Sequence, residues 1–300
     1  MRFATEAPAR PIVAALWMLG AVVSFSAMAV AGRITYAELS TFELMFFRSA
    51  IGLIIVCMLL ARSARGWGQI KSQHAGLHVK RNIIHFAGQN LWFYAVAVID
   101  FAQVVAFEFT NPIWVALLAP FMLGERWTKV RVFCVLVGFI GILVVARPGQ
   151  TELGLGHLAA AGCALGFALN TIFTKQIMRY DTVLCVLFWM TLLQMTMGLG
   201  LSIPGGLTWP SASLWPWVGL VGVCGLTAHY ALTSALAAAP ATIVAPMEFL
   251  RLPVMASIGM LAYGEPFEVA VFAGAALIVL ANLVNLVVAS RKKPLPSVPV

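Results

Sequence analysis

Four charged side chains, Arg48, Glu108, Glu248 and Arg251, lie inside apolar stretches of the chain. A charge at the middle of a membrane span costs about 2.5–3.5 kcal/mol on insertion scales, so such a residue faces a cavity or an opposite charge. Arg48 and Glu108 enter their stretches from the same side, seven and six residues in. At about 1.5 Å of rise per residue both lie about 10 Å below that face. They can pair with each other or meet a solute together, and Arg48 reads best as half of a structural charge pair. Glu248 and Arg251, at i and i+3, share one helix face.

Proline sharpens this pattern. Pro112 has no N–H to give to the carbonyl of Glu108, and Pro253 has none to give to Phe249; Pro246 interrupts the start of the same segment. The two segments are therefore predicted to kink beside their acidic residues. Discontinuous helices at matching places in two halves point to a binding site. Asn111 follows the first glutamate where Arg251 follows the second. Gln89, Tyr94, Asn170 and Tyr230 are further candidates to line a cavity; His85 and His229 read as packing residues. Trp17, Trp92 and Trp114 lie within spans, where they pack or stack on a planar solute. Trp67, Trp127, Trp209 and Trp215 fall at span ends, as an interfacial belt does.

The elements that carry these residues are membrane helices. Hydrophobic residues make up 61% of the 300 and charged residues 10%, and mean hydropathy is +0.94. A soluble chain carries about 25% charged residues, so too few are present to cover a wetted surface. Ten stretches are long enough to span a bilayer: 11–31, 41–61, 81–99, 102–122, 129–146, 155–175, 183–203, 214–235, 242–262 and 268–289. The first is too long for the core of a cleaved signal and reads as a retained helix. The net charge of +8 is scattered between apolar blocks, which indicates topology and no nucleic-acid partner. With the N-terminus inside, fifteen of the nineteen lysines and arginines fall on the inner side; outside stand only Arg33 and Arg147. That places both termini in the cytoplasm and the chain in the cell inner membrane. The five cysteines lie in apolar blocks with no CxxC, and neither a metal site nor a cofactor is expected.

The sequence also repeats. A shift of 140 residues lays Glu108-Phe109 on Glu248-Phe249 and Gly124-Glu125 on Gly264-Glu265, and a shift of 142 lays Arg33 on Lys175. Five spans per copy is an odd number, so the second copy must insert upside down. The expected fold is all-α, ten transmembrane helices as two inverted five-helix repeats, 11–147 and 155–289, around a central cavity. Gly162 and Gly166 make one close-packing step, and Gly219, Gly222 and Gly225 another.

Four motifs in this order resemble those of the drug/metabolite transporter superfamily, in its ten-helix EamA-type branch. They are Phe46-Phe47-Arg48, Leu123-Gly124-Glu125-Arg126, Val145-Ala146-Arg147-Pro148-Gly149 and Tyr263-Gly264-Glu265-Pro266. The resemblance covers residues 11–290. It implies alternating access and a small organic solute, such as an amino acid, vitamin or nucleotide-like metabolite, with no solute singled out. No Gly-x-x-x-x-Gly-Lys loop, HExxH or GxSxG arrangement is present. The reading is a secondary transporter, with protons as possible coupling ions and Glu108 or Glu248 as their carrier, in a monomer or homodimer. An intramembrane enzyme and a non-transporting scaffold are the alternatives.

Overall fold

A computed structural model describes residues 11–124, 128–147, 153–239, 244 and 247–290. The first half contains α1 (Pro11–Thr35), α2 (Thr41–Arg62), α3 (Ala75–Val98), α4 (Phe101–Glu108), α5 (Asn111–Leu123) and α6 (Lys129–Ala146). The second contains α7 (Leu155–Ile177), α8 (Val183–Ser202), α9 (Trp215–Ala238), α10 (Arg251–Tyr263) and α11 (Val269–Ser290). No strand occurs among the described residues. Eight helical spans are long and apolar enough to cross a membrane, with α4 and α5 counted together as one. The helix α3 has the length but carries Arg81, Asn82, His85, Gln89 and Asn90. With α3 and the segment ending in α10, the spans number ten. This is a multi-pass membrane protein.

Local sequence sets the helix ends. Ser40 and Glu43 form a reciprocal capping box at α2, and Thr128 and Thr182 cap α6 and α8 through backbone N–H groups three residues on. Glu43 also accepts from the Thr208 N–H at 2.7 Å, which ties the α8–α9 loop to α2. The helices α5 and α10 end on glycines in the left-handed conformation, Gly124 (φ 68°) and Gly264 (φ 67°). The repeat is visible at these two caps.

Helix pairing follows an inverted repeat. The helix α1 runs beside α9, α3 beside α7, α2 beside α8 and α6 beside α11, and α4 meets α10. Every pair joins the first half to the second. Exchanging the halves turns α1–α9 into α7–α3 and returns α2–α8, α6–α11 and the pairing of the two broken spans to themselves, as a two-fold axis in the membrane plane requires. Glycine sets several of these seams. A Cβ on Gly166 would come 3.1 Å from Gly88 Cα, and one on Gly274 would come 2.6 Å from the Gly141 carbonyl. Such backbone approach replaces the hydrophobic effect as the cohesive force in lipid. Gly222 lies against Ile51 and Gly225 against Arg48, whereas Gly219 faces open space.

The fourth span is broken where Pro112 predicts. The helix α4 stops at Glu108, Phe109 and Thr110 turn, and α5 begins at Asn111. Ile113 N–H turns back to the Thr110 carbonyl, and Asn282 of α11 donates to the freed Phe109 carbonyl at 2.9 Å. A neighbouring side chain thus satisfies the backbone that the break exposes to a water-poor interior. The ninth span breaks at the matching place: Met247 and Glu248 are helical, Phe249 and Leu250 turn, and α10 starts at Arg251. Pro246, read as interrupting the start of this segment, lies outside the described residues.

Candidate functional site

The two breaks bring opposite charges together across the halves. Arg251 Nη2 bonds Glu108 Oε1 at 2.7 Å, with the arginine side chain 3% and the carboxylate 16% exposed. Trp92 of α3 donates its indole N–H to the other carboxylate oxygen at 2.9 Å. The guanidinium is flanked by the rings of Phe25 and Phe109, 5.2 and 5.7 Å from their centroids. Arg251 Nε is buried without an acceptor among the described residues. Glu248 precedes Arg251 by one turn and, with Glu108, lies within its electrostatic reach. Beside the pair is a cavity of about 10 Å³ bordered by Phe25, Trp92, Phe101, Arg251 and Met255. That is room for about one water. A solute therefore needs a different spacing of the halves from the one seen here.

The remaining candidates divide. Gln89 and Asn90 are buried on α3 and Asn170 is half-buried on α7, each with a side-chain oxygen that accepts no hydrogen bond among the described residues. The Gly88–Gly166 contact brings all three within about a turn of one crossing. Asn111 borders a larger cavity of about 280 Å³ with Thr171, Lys175, Arg131 and Asn285, at the end of the molecule where α5 and α7 finish. Tyr94 is half-buried and meets Tyr36 edge-on. Tyr230 does not border the Arg251 cavity; it is 66% exposed and edge-on to Trp17.

Arg48 departs from the charge pair expected of it. It is 6% exposed and makes no ion pair among the described residues. Its guanidinium lies over Gly225 and meets Met45 sulfur at 3.5 Å, within electrostatic reach of His85 and His229. Equal depth was a poor guide, because Glu108 turns to the opposite half. His85 bonds Gln194 at 3.1 Å, as a packing residue does. His229 is edge-on to Phe25, with ring centroids 5.5 Å apart. Cys185, which has no histidine nearby in sequence, has its sulfur within 4.8 Å of ligand atoms of His78 and Asp181. The His78–Asp181 bond at 2.8 Å, shared with Ser72, accounts for that cluster as a tie of the α2–α3 connection and the first turn of α3 to the α7–α8 turn.

Sequence reasoning missed a second charged assembly, at the end of the molecule where α1, α3 and α6 finish. Arg33 pairs with Glu265, and Arg147 with Glu268. Glu268 also accepts from Gln103 at 3.3 Å, and Gln103 meets His157 at 2.9 Å. The available signal was that Arg33 and Arg147 are the two basic residues left on the side that the charge bias depletes. Asp100, in the turn between α3 and α4, sits among these groups. Burial, then Glu265 and Glu268, push its carboxyl above the usual range. An acid raised in this way weakens the fold while it is ionised. Asp100→Asn is therefore expected to raise the melting temperature at pH 7–8. The gain should shrink as pH falls towards the ordinary aspartate value of about 3.9, where wild type is already protonated. Melting curves at several pH values check this.

Fold and site together define a ten-helix, inverted-repeat membrane protein with a charged pair at the junction of two broken helices. The chain belongs to the EamA-like transporter family, which it matches over residues 12–147 and 154–287. It is similar to a riboflavin transporter of Brucella anthropi, 32% identical over 136 residues, covering 45% of this chain and 47% of that one. It is also similar to an S-adenosylmethionine uptake transporter of Rickettsia bellii, 25% identical over 173 residues, covering 58% of this chain and 59% of that one. These two matches span roughly half of each relative's length. A riboflavin transporter of Rhizobium johnstonii is 26% identical over 278 residues, covering 92% of this chain and 91% of that one. A solved crystal structure superposes with a TM-score of 0.63 at 21% identity, over 94% of this chain and 99% of that one, a likeness of fold.

Proposed function

We propose that the protein is a secondary transporter of the cell inner membrane that moves a small organic metabolite by alternating access between its two halves. The observation that carries this reading is the Glu108–Arg251 pair. It joins the two broken helices inside the membrane, one from each half, and is walled by Trp92, Phe25 and Phe109. A buried pair that only fixed packing would gain nothing from a helix break on each side.

The solute class favoured is a planar heteroaromatic ring bearing a polar arm. Riboflavin and S-adenosylmethionine, the solutes in the relatives' names, both have that form. Aromatic walls suit the ring, and the unpaired amide oxygens of Gln89, Asn90 and Asn170 suit hydroxyl or amine donors on the arm. Glu248, which no described side chain hydrogen-bonds, is the candidate to carry a coupling proton. The lysine and arginine bias supports a cytoplasmic placement of both termini and of the end bearing Lys175. The test is flux in liposomes containing the purified protein, with riboflavin, S-adenosylmethionine and a metabolite panel, under solute and pH gradients of either sign. Melting shifts with each solute rank the panel first, since a ligand stabilises by RT ln(1 + [L]/Kd). Folded protein that moves no panel member under any gradient would sink the reading.

A further inference from the structure

We propose that Arg33 and Glu265 form a latch that shuts one end of the solute path.

The Arg33 latch uses every face of the guanidinium. Nε donates to the Val96 carbonyl, Nη2 to the Ile99 carbonyl and Nη1 to Glu265, while the plane stacks on Phe101 with its carbon 3.5 Å from the ring centroid. The second Glu265 oxygen accepts from the Phe101 N–H at 2.9 Å. One ion pair thus gathers α1, the end of α3, the start of α4 and the α10–α11 turn. Glycine makes the geometry possible: a Cβ on Gly259 would lie 2.0 Å from Glu265 Oε2, so the carboxylate rests where a side chain would otherwise stand. Phe101 belongs to the latch and also borders the small cavity beside Arg251. No solute reaches that cavity from this end while the latch holds.

At the opposite end, where α5 and α7 finish, Lys175 borders the cavity of about 280 Å³, against about 10 Å³ beside Arg251. The protein at rest therefore favours access from the Lys175 end.

This inference rests on the transport reading for its meaning, but its test needs no solute, so the two fail separately. A reporter cysteine replaces Val105, which borders the small cavity. Its labelling by a membrane-impermeant maleimide is followed from each face of oriented vesicles, against the background of the five native cysteines. Glu265→Gln, and separately Gly259→Ala, should raise labelling from the Arg33 face about tenfold, within the usual range of conformational coupling. The swap Arg33→Glu with Glu265→Arg should bring the rate partway back. Lys175→Met should leave the Arg33 face slow. An unchanged rate in Glu265→Gln protein that elutes and melts as folded overturns the proposal. So does an equal rise from both faces, which marks a loosened fold and no latch.

Discussion

Glu108→Ala is expected to destabilise the protein by about 3 kcal/mol and to abolish transport. Removing one partner of a buried ion pair typically costs about 3–5 kcal/mol, because the other charge is left without compensation. Arg251 is 3% exposed and cannot reach water without moving α10. Glu248, one turn away, offsets part of the loss and sets the estimate at the lower end. The single variant cannot tell a structural pair from a transporting one. The double variant Glu108→Leu with Arg251→Met does, since replacing both charges by apolar groups of similar size is often neutral for the fold. It should melt near wild type and still move no solute. A double variant that regained both stability and flux would make the pair a packing device. Melting in detergent and flux in liposomes supply both readouts.

Gly274→Leu carries the second large effect, at the seam between α6 and α11. A Cβ at this position meets the Gly141 carbonyl at 2.6 Å and Val145 Cγ2 at the same distance, and the Gly141 backbone cannot swing aside as a flexible side chain could. Overpacking costs about 1–3 kcal/mol in soluble cores. Against backbone, the expected loss lies at or above the top of that range, with lower recovery of folded protein. Gly219→Leu is the control, since nothing among the described residues lies within 4 Å of its Cβ. It should melt within about 0.5 kcal/mol of wild type. Equal losses in the two variants would show that general side-chain bulk, and not the α6–α11 seam, sets the cost.

Spans, repeat and helix breaks were legible because their causes are local. Twenty apolar residues need a bilayer, and Pro112 removes one particular donor whatever surrounds it. The break after Glu108 falls where that missing donor places it. Partners were not legible, because they depend on which way a helix is turned. Arg48 and Glu108 share a depth and still face different neighbours, while Arg251, 143 residues further along, takes the carboxylate. Trp92 could be read as a ring but not as the donor that fixes Glu108 Oε2. Arg33 and Glu265 entered only through the charge bias, the repeat and one motif, since neither lies inside the apolar stretches read from the sequence, where a charge draws attention.

The cross-half pairing of helices also bears on how the chain enters the membrane. Because α1, α2, α3 and α6 each find their main partner after residue 153, the first five spans leave the ribosome with their glycine seams uncovered. Glu108 reaches the bilayer before Arg251 exists to neutralise it, and the Phe109 carbonyl waits longer still for Asn282. The early spans must therefore wait in the lipid as a loose set that closes only when α9 to α11 arrive. Each half is the template on which the other folds, and a half made alone has nothing to close against.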